Sequence, residues 1–250
     1  MKTIKIEYDW LNKLIPEGFP YPSSTLISGP GGTGKPLVGF AFVASWLKEG
    51  GSVISIPVQY PRMELLKTAM KKLYHIDLKD YQKKVSYIQF DPHMDSYEEK
   101  GDNLFMANLL KPEIWDQAVS TADHIIEKSD LGTLVFASAL NLLLFSPTYK
   151  KGSIENLKQI LKEDKSKSYI FSVSTSAFAD KIKIWEEASD NLMYTRMEEP
   201  MKLFFKIDKM KETHFSTEEV NVPISREMLL EIKDLAEATR KRIIPDIMKI

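Results

Sequence analysis

The chain has 250 residues, of which 43% are hydrophobic and 28% charged, a balance that excludes disorder, collagen-like repeats and low complexity and gives enough length for one large domain with a full core. Its 34 basic and 35 acidic side chains leave a formal net charge of -1, so no global field draws it to DNA, RNA or anionic lipid. Cysteine is absent, which removes disulfides, thiolate metal sites and a cysteine nucleophile and fits a reducing compartment.

Only Arg62, Arg196, Arg226, Arg240 and Arg242 among the basic residues are arginine, a Lys/Glu-rich and Cys-free usage of the kind seen in heat-adapted proteomes. Residues 1–10 mix Lys2 and Lys5 with Glu7 and Asp9 and lack the apolar core of a secretion signal. The longest apolar runs, 37–47 and 134–145, fall short of the roughly 20 residues that span a bilayer. A cytoplasmic protein without membrane contact is expected.

Short apolar runs at 25–28, 52–58, 85–90, 132–137, 169–174 and 203–207 read as buried strands. Between them, 36–48, 63–74, 112–128 and 154–163 carry helical patterns. This alternation predicts an α/β fold with a parallel-rich sheet covered by helices on both faces. The strand order stays open, although right-handed crossovers are expected. The stretch 91–111 is polar and acidic with Pro92 and Gly101, and reads as an insertion or long loop.

Residues 216–225 are polar and strand-like, after which 226–244 place Leu229, Ile232, Leu235, Ala236 and Ile243 on one helix face. Pro245 is expected to end that helix. Arg240, Lys241 and Arg242 give it a basic end suited to a helix C-terminus. Packing on the chain's own core and docking of another subunit or protein both fit the stripe. With no internal repeat and no long linker, one domain over 1–250 is expected, with 1–23 as a lead-in and 226–250 as a C-terminal helix.

The strongest local motif is Gly29-Pro30-Gly31-Gly32-Thr33-Gly34-Lys35-Pro36, set after the apolar run at 25–27 and before a helical pattern, the context a phosphate-binding loop requires. Glycines let the backbone curl so that N–H groups converge on a phosphate, the helix N-terminus adds a positive dipole, and Lys35 supplies a cation. A di- or triphosphate is the expected ligand. Pro36 departs from the consensus, in which a Ser or Thr hydroxyl ligates Mg²⁺, while remaining compatible with a first helical turn.

Leu11-Asn12-Lys13-Leu14-Ile15-Pro16-Glu17-Gly18-Phe19-Pro20 followed by residues 24–35 resembles the opening of KaiC-like ATPases, archaeal and bacterial relatives of the RecA and RadA recombinases. The similarity continues in Gly51-Ser52-Val53-Ile54-Ser55-Ile56-Pro57-Val58-Gln59-Tyr60-Pro61, like the family's second strand and turn. It returns in Leu134-Val135-Phe136-Ala137-Ser138-Ala139-Leu140, like a Walker B strand, and in Lys209-Met210-Lys211 with His214, like a late basic motif. These markers span residues 5 to 225. The resemblance implies a three-layer, RecA-like P-loop NTPase fold of the archaeal single-domain type, with ATP or ADP as ligand.

It also implies what is missing. Family members carry carboxylates at the end of the second strand to activate water, where this chain has Val58 and Gln59, and a Walker B Asp where it has Ala137. With Pro36, all three hydrolysis parts are absent, which leaves Mg²⁺ undecided and predicts slow or no ATP turnover, because phosphoryl transfer relies on charge neutralisation and a positioned nucleophile. Asp130 precedes the Walker B strand and lies at the wrong end; Glu64 is the remaining candidate for a substitute base. The resemblance further implies that Lys209 and Lys211 reach the terminal phosphate of a neighbouring subunit in a homo-oligomer, and period-2 alternation puts both on one side of an extended chain. Two solvated lysines are the simpler alternative.

Asp91, His93 and Asp95 alternate so that an extended segment would present them on one face, although an acidic loop of this kind is ordinarily just solvated and no metal site is assigned. His75 and His124 have no evident partners, and no Gly-x-Ser-x-Gly elbow appears. Kinship with recombinases raises nucleic acid as a partner, but Lys150, Lys151, Lys162, Lys165 and Lys167 are scattered and balanced by Glu155, Glu163 and Asp164, which favours a solvated face. The expected function is a degenerate KaiC/RecA-like nucleotide-binding protein with weak or no hydrolysis and a regulatory or assembly role. The alternatives are an active ATPase in DNA recombination or repair, and a protein- or peptide-binding module that no longer uses nucleotide.

Overall fold

A computed structural model describes residues 2–59 and 63–250, with every side chain among them except those of Glu64 and Leu65. The lead-in comprises β1 (Lys2–Ile4), the short helix α1 (Asp9–Asn12) and β2 (Phe19–Tyr21), with β1 and β2 paired antiparallel in a two-stranded sheet of their own. The body follows as β3 (Ser24–Ser28), α2 (Lys35–Lys48), β4 (Ser52–Pro57), α3 (Met63–Tyr74), β5 (Val85–Phe90), β6 (Tyr97–Gly101), β7 (Leu104–Ala107), α4 (Pro112–Ile125) and β8 (Thr133–Ser138). It ends with α5 (Lys150–Glu163), β9 (Ser168–Ser172), α6 (Ala179–Ala188), β10 (Asn191–Glu198), β11 (Lys202–Lys209), β12 (Val220–Asn221) and α7 (Arg226–Ile247).

The main sheet has ten strands in the order β12-β11-β10-β3-β9-β8-β4-β5-β7-β6. All pairings from β10 across to β7 are parallel, while β11 and β12 at one edge and β6 at the other are antiparallel additions. Strand period two sends alternate side chains to opposite faces. Leu134 and Phe136 of β8 join one core with α2 and α3, whereas Val135 and Ala137 join a second core with α4, α5 and α6. The sheet is thus covered on both faces, the three-layer α/β architecture expected from the alternating pattern.

Helix α2 is buried at every position but Lys48, which explains its apolar character all round. It lies so close to β8 that a Cβ on Gly39 would sit 2.3 Å from the Phe136 ring. Helix α7 behaves differently. Met228, Leu229, Ile232 and Ala236 belong to the α2 and α3 core, and Ile243 and Ile247 belong to the opposite core, so the helix passes over the carboxyl ends of the parallel strands from one layer to the other.

Several expectations need correction. The supposed loop at 91–111 contains the hairpin of β6 and β7, turned through Gly101, Asp102 and Asn103 at positive φ. β7 adds to the sheet beside β5 with alternating half-buried and buried side chains, but its run of four residues is too short to stand out in the sequence. Helix α6 and strand β10 went unrecognised, and of residues 216–225 only Val220–Asn221 is strand. α4 stops at Ile125, where the extended residue Ile126 turns into the core. α7 runs through Pro245 to Ile247 instead of ending before it. Burial of Ile243 and Ile247 on either side offsets the hydrogen bond that an internal proline forfeits.

Candidate functional site

The glycine motif lies where β3, flanked by β9 and β10, ends and α2 begins, the crevice at strand carboxyl ends where α/β sheets bind ligands. Gly29 has φ 144°, and a Cβ there would meet the Thr195 carbonyl oxygen at 2.3 Å, so the loop leaves the sheet through a gap only glycine fits. Gly34 is left-handed at the helix start, its carbonyl accepting from the Leu37 N–H at 2.9 Å. Pro36 occupies the first turn of α2 and is buried, as a proline in that position can be.

Inside the loop, Lys35 points back into its own backbone. Its Nζ donates to the Gly29 carbonyl at 3.0 Å, to the Pro30 carbonyl, and to Thr33 Oγ1 at 3.1 Å. The Thr33 hydroxyl donates to the Pro30 carbonyl at 2.8 Å and lies 2.7 Å from Thr195 Oγ1. The Gly31 N–H donates to Ser176 Oγ at 2.9 Å. Burial, and after it the charge of Arg240, pull the Lys35 ammonium down to about 7.

Helix α7 closes the opening. Leu229 packs against Gly34, Lys233 against Gly32 and the Arg240 guanidinium against Gly31, with Arg240 Nη1 3.4 Å from where a Gly31 Cβ would be. Gln59 Nε2 donates to the Ala236 carbonyl in mid-helix at 3.0 Å, fastening the turn after β4 to α7. The cavity left between loop and helix is about 40 Å³, room for a group the size of one phosphate and far below the several hundred Å³ of a ligand pocket. Sequence reasoning missed Lys233, Arg240 and the Gln59 latch. The sequence signal was the basic end of α7, read there as a complement to the helix dipole.

Where hydrolysis parts are expected, the structure places Val58 buried in the second core and Gln59 bonded to α7. Ala137 also lies in that core, opposite Ile56 and Phe171, surroundings that would penalise a carboxylate. The residues after β8 that line the cavity are Ala139 and Asn141, so a shift of alignment supplies no acid either. The side chain of Glu64 and the turn residues Tyr60, Pro61 and Arg62 lie outside the described residues. Among the described residues lining the cavity there is no carboxylate, and the cations are Lys35, Lys233 and Arg240. The lining also carries the Thr33, Ser172 and Ser174 hydroxyls and the Asn141 amide, so oxygen donors are present there but no described carboxylate of the kind Mg²⁺ ordinarily takes.

Lys209 and Lys211 do share one side, as alternation predicts, but at the other end of the sheet from their own chain's loop. β11 runs antiparallel to β10, and Lys209 sits opposite Leu192 near the start of that strand. Lys209 Nζ donates to the Glu186 and Glu187 carbonyls at 3.2 and 3.3 Å, and Lys211 Nζ is 3.4 Å from Asp190 Oδ1. Contact with the phosphate loop of the same chain is therefore excluded. Asp91 accepts from the His93 N–H and Asp95 pairs with Lys111, and among the described residues no three His, Cys, Asp or Glu side chains cluster as a metal site. Among the described residues no helix is long and apolar enough to cross a membrane.

Comparison with known proteins speaks to the fold and the family. The solved structure of a KaiC-like protein from the hyperthermophilic archaeon Pyrococcus horikoshii OT3 matches with a TM-score of 0.64 and 18% identity, covering 90% of this chain and 95% of that one, a likeness of fold. A search of curated proteins found no sequence match. The family model described as "ATPase: KaiC" matches residues 4–237, and the chain belongs to that RecA-related P-loop family.

Proposed function

We propose that this KaiC-family protein binds ATP or ADP at residues 29–36, hydrolyses it weakly or not at all, and acts in the cytoplasm as a regulatory or assembly partner. Nucleotide would work by binding one conformation or oligomer better than another. The observation that carries the reading is a complete glycine cradle with Lys35 beside a cavity wall free of carboxylates among the described residues. Gln59 can orient a water but cannot accept its proton, and Ala137 and Pro36 offer a divalent cation nothing. Backbone N–H groups and the α2 dipole still favour a bound phosphate.

Titration calorimetry with ATP and ADP, paired with a phosphate-release assay, tests this. Binding that is lost in Lys35→Ala, with no multiple-turnover release, is the expected result; turnover by clean protein that disappears in Lys35→Ala would refute it. A second reading, a protein- or peptide-binding module that no longer uses nucleotide, is favoured by the closure of α7 over the loop. Absence of binding at millimolar nucleotide would select it.

A further inference from the structure

The loop cavity holds an unbalanced set of charges. Lys35, Lys233 and Arg240 converge on it, no described lining residue is acidic, and the oxygen ligands a divalent cation needs are replaced by Pro36 and Ala137. Lys35 is buried and its ammonium feels the charge of half-buried Arg240, a repulsion that burial strengthens, while Lys233 is exposed with its stem against Gly32. Such an arrangement is relaxed by a bound polyanion. Arg240 and the stem of Lys233 lie against the glycines, and the match to the family model ends at residue 237, before Arg240.

We propose that Lys233 and Arg240 of α7 form a hinged cationic lid that supplies, in place of a divalent cation, the counter-charge of a phosphate chain seated in the glycine loop. The proposal rests on the nucleotide-binding reading above and assigns two binding residues to it. With α7 seated, the cavity of about 40 Å³ admits no nucleoside, so the middle of the helix lifts, breaking the Gln59 bond to Ala236, before a nucleotide enters. Phosphate oxygens then take the Gly31 N–H from Ser176, and the helix settles with Arg240 against the phosphate instead of against bare glycine. Arginine suits this position because its planar fork makes paired, charge-assisted hydrogen bonds to phosphate.

The test is titration of the full chain with fluorescent N-methylanthraniloyl-ADP, in EDTA and in Mg²⁺, with pyrophosphate as competitor. The expected result is equal affinity in both media, a loss of about tenfold in Arg240→Ala, a smaller loss in Arg240→Lys, and displacement by pyrophosphate. Calorimetry in two buffers of different ionisation enthalpy should show proton uptake near pH 8, as Lys35, held down by burial and by Arg240, regains its proton against the anion. Because the chain has no native cysteine, Gln59→Cys with Ala236→Cys, at the two positions that the latch joins, linked by a short reducible cross-linker should block binding until reduced.

Affinity that requires Mg²⁺, or that is unchanged or tighter in Arg240→Ala while Lys35→Ala abolishes it, overturns the lid and leaves nucleotide binding standing. Equal binding by cross-linked and reduced protein also overturns the lid. If neither the native chain nor Arg240→Ala nor a loosened Ile232→Ala binds the probe, the nucleotide reading falls and the lid with it.

Discussion

The two ends of the central sheet treat charge in opposite ways. At the amino end, Asp190 is almost buried yet fully engaged: Lys165 Nζ lies 2.6 Å away, Lys211 Nζ 3.4 Å, and the Ser24 N–H donates to it at 3.0 Å. Burial pushes its carboxyl up, but those hydrogen bonds and the charges of Lys165 and Lys211 prevail and hold it below the ordinary range. At the carboxyl end, Lys35 is buried among backbone carbonyls beside Arg240, with no acid to meet either among the described lining residues. A fully paired charge fastens a structure, whereas a surplus of one sign is a vacancy for a ligand of the other.

The contrast can be broken most sharply at Asp190. Asp190→Ala strands Lys165 and Lys211 and removes the acceptor of the Ser24 N–H, and should lower the unfolding free energy by about 3 kcal/mol in urea denaturation. Because its folded pKa is depressed, the stability it gives is present above the usual carboxylate pKa and fades as pH falls through the folded value. The native chain should therefore lose more stability on acidification than Asp190→Asn does. A parallel acid limb in both would place the acid sensitivity elsewhere.

At the opposite end the sign reverses. Folding lowers the Lys35 pKa from 10.5 to about 7, so between those values the unfolded chain binds more protons and stability from this group rises with pH. Lys35→Met should raise the melting temperature near pH 7, by an effect on the order of 1 kcal/mol, and the advantage should shrink toward pH 10. The smallest effect is expected from Gln59→Ala, about 1 kcal/mol or less for one partly buried hydrogen bond, read as faster amide exchange in the middle of α7 with its ends unchanged. Exchange rising uniformly along the helix would mean that the two cores, and not the latch, hold it over the loop.

Much of this was legible in the residues. Strands such as β5 and helices such as α3 announce themselves because each is a continuous pattern between clear breakers, and the glycine motif carries its own context. That Val58, Gln59, Ala137 and Pro36 carry no carboxylate or hydroxyl could also be read, since side-chain chemistry needs no coordinates. β7 was hidden by its brevity, β6 by its exposure at the sheet edge, and α6 by its mixed charges around Ile182 and Trp185. The closure of the loop was illegible for a different reason. The stripe of α7 looks like one apolar face, but Ile232 and Ile247 enter different cores, and only the position of both layers sends the segment between them across the glycines.

The placement of β3 has a consequence for how the protein comes to exist. Thr25 sits between Ile170 and Asn191, so the strand that carries the phosphate loop leaves the ribosome well before either of its neighbours and waits for both. Contacts of such long sequence separation form late and slowly, and an unpaired apolar strand is open to wrong partners meanwhile. Nascent chains halted before residue 190 should keep that segment accessible to protease and to chaperones, and α7, which follows β10 in the chain, covers the glycine loop only after that pairing can form.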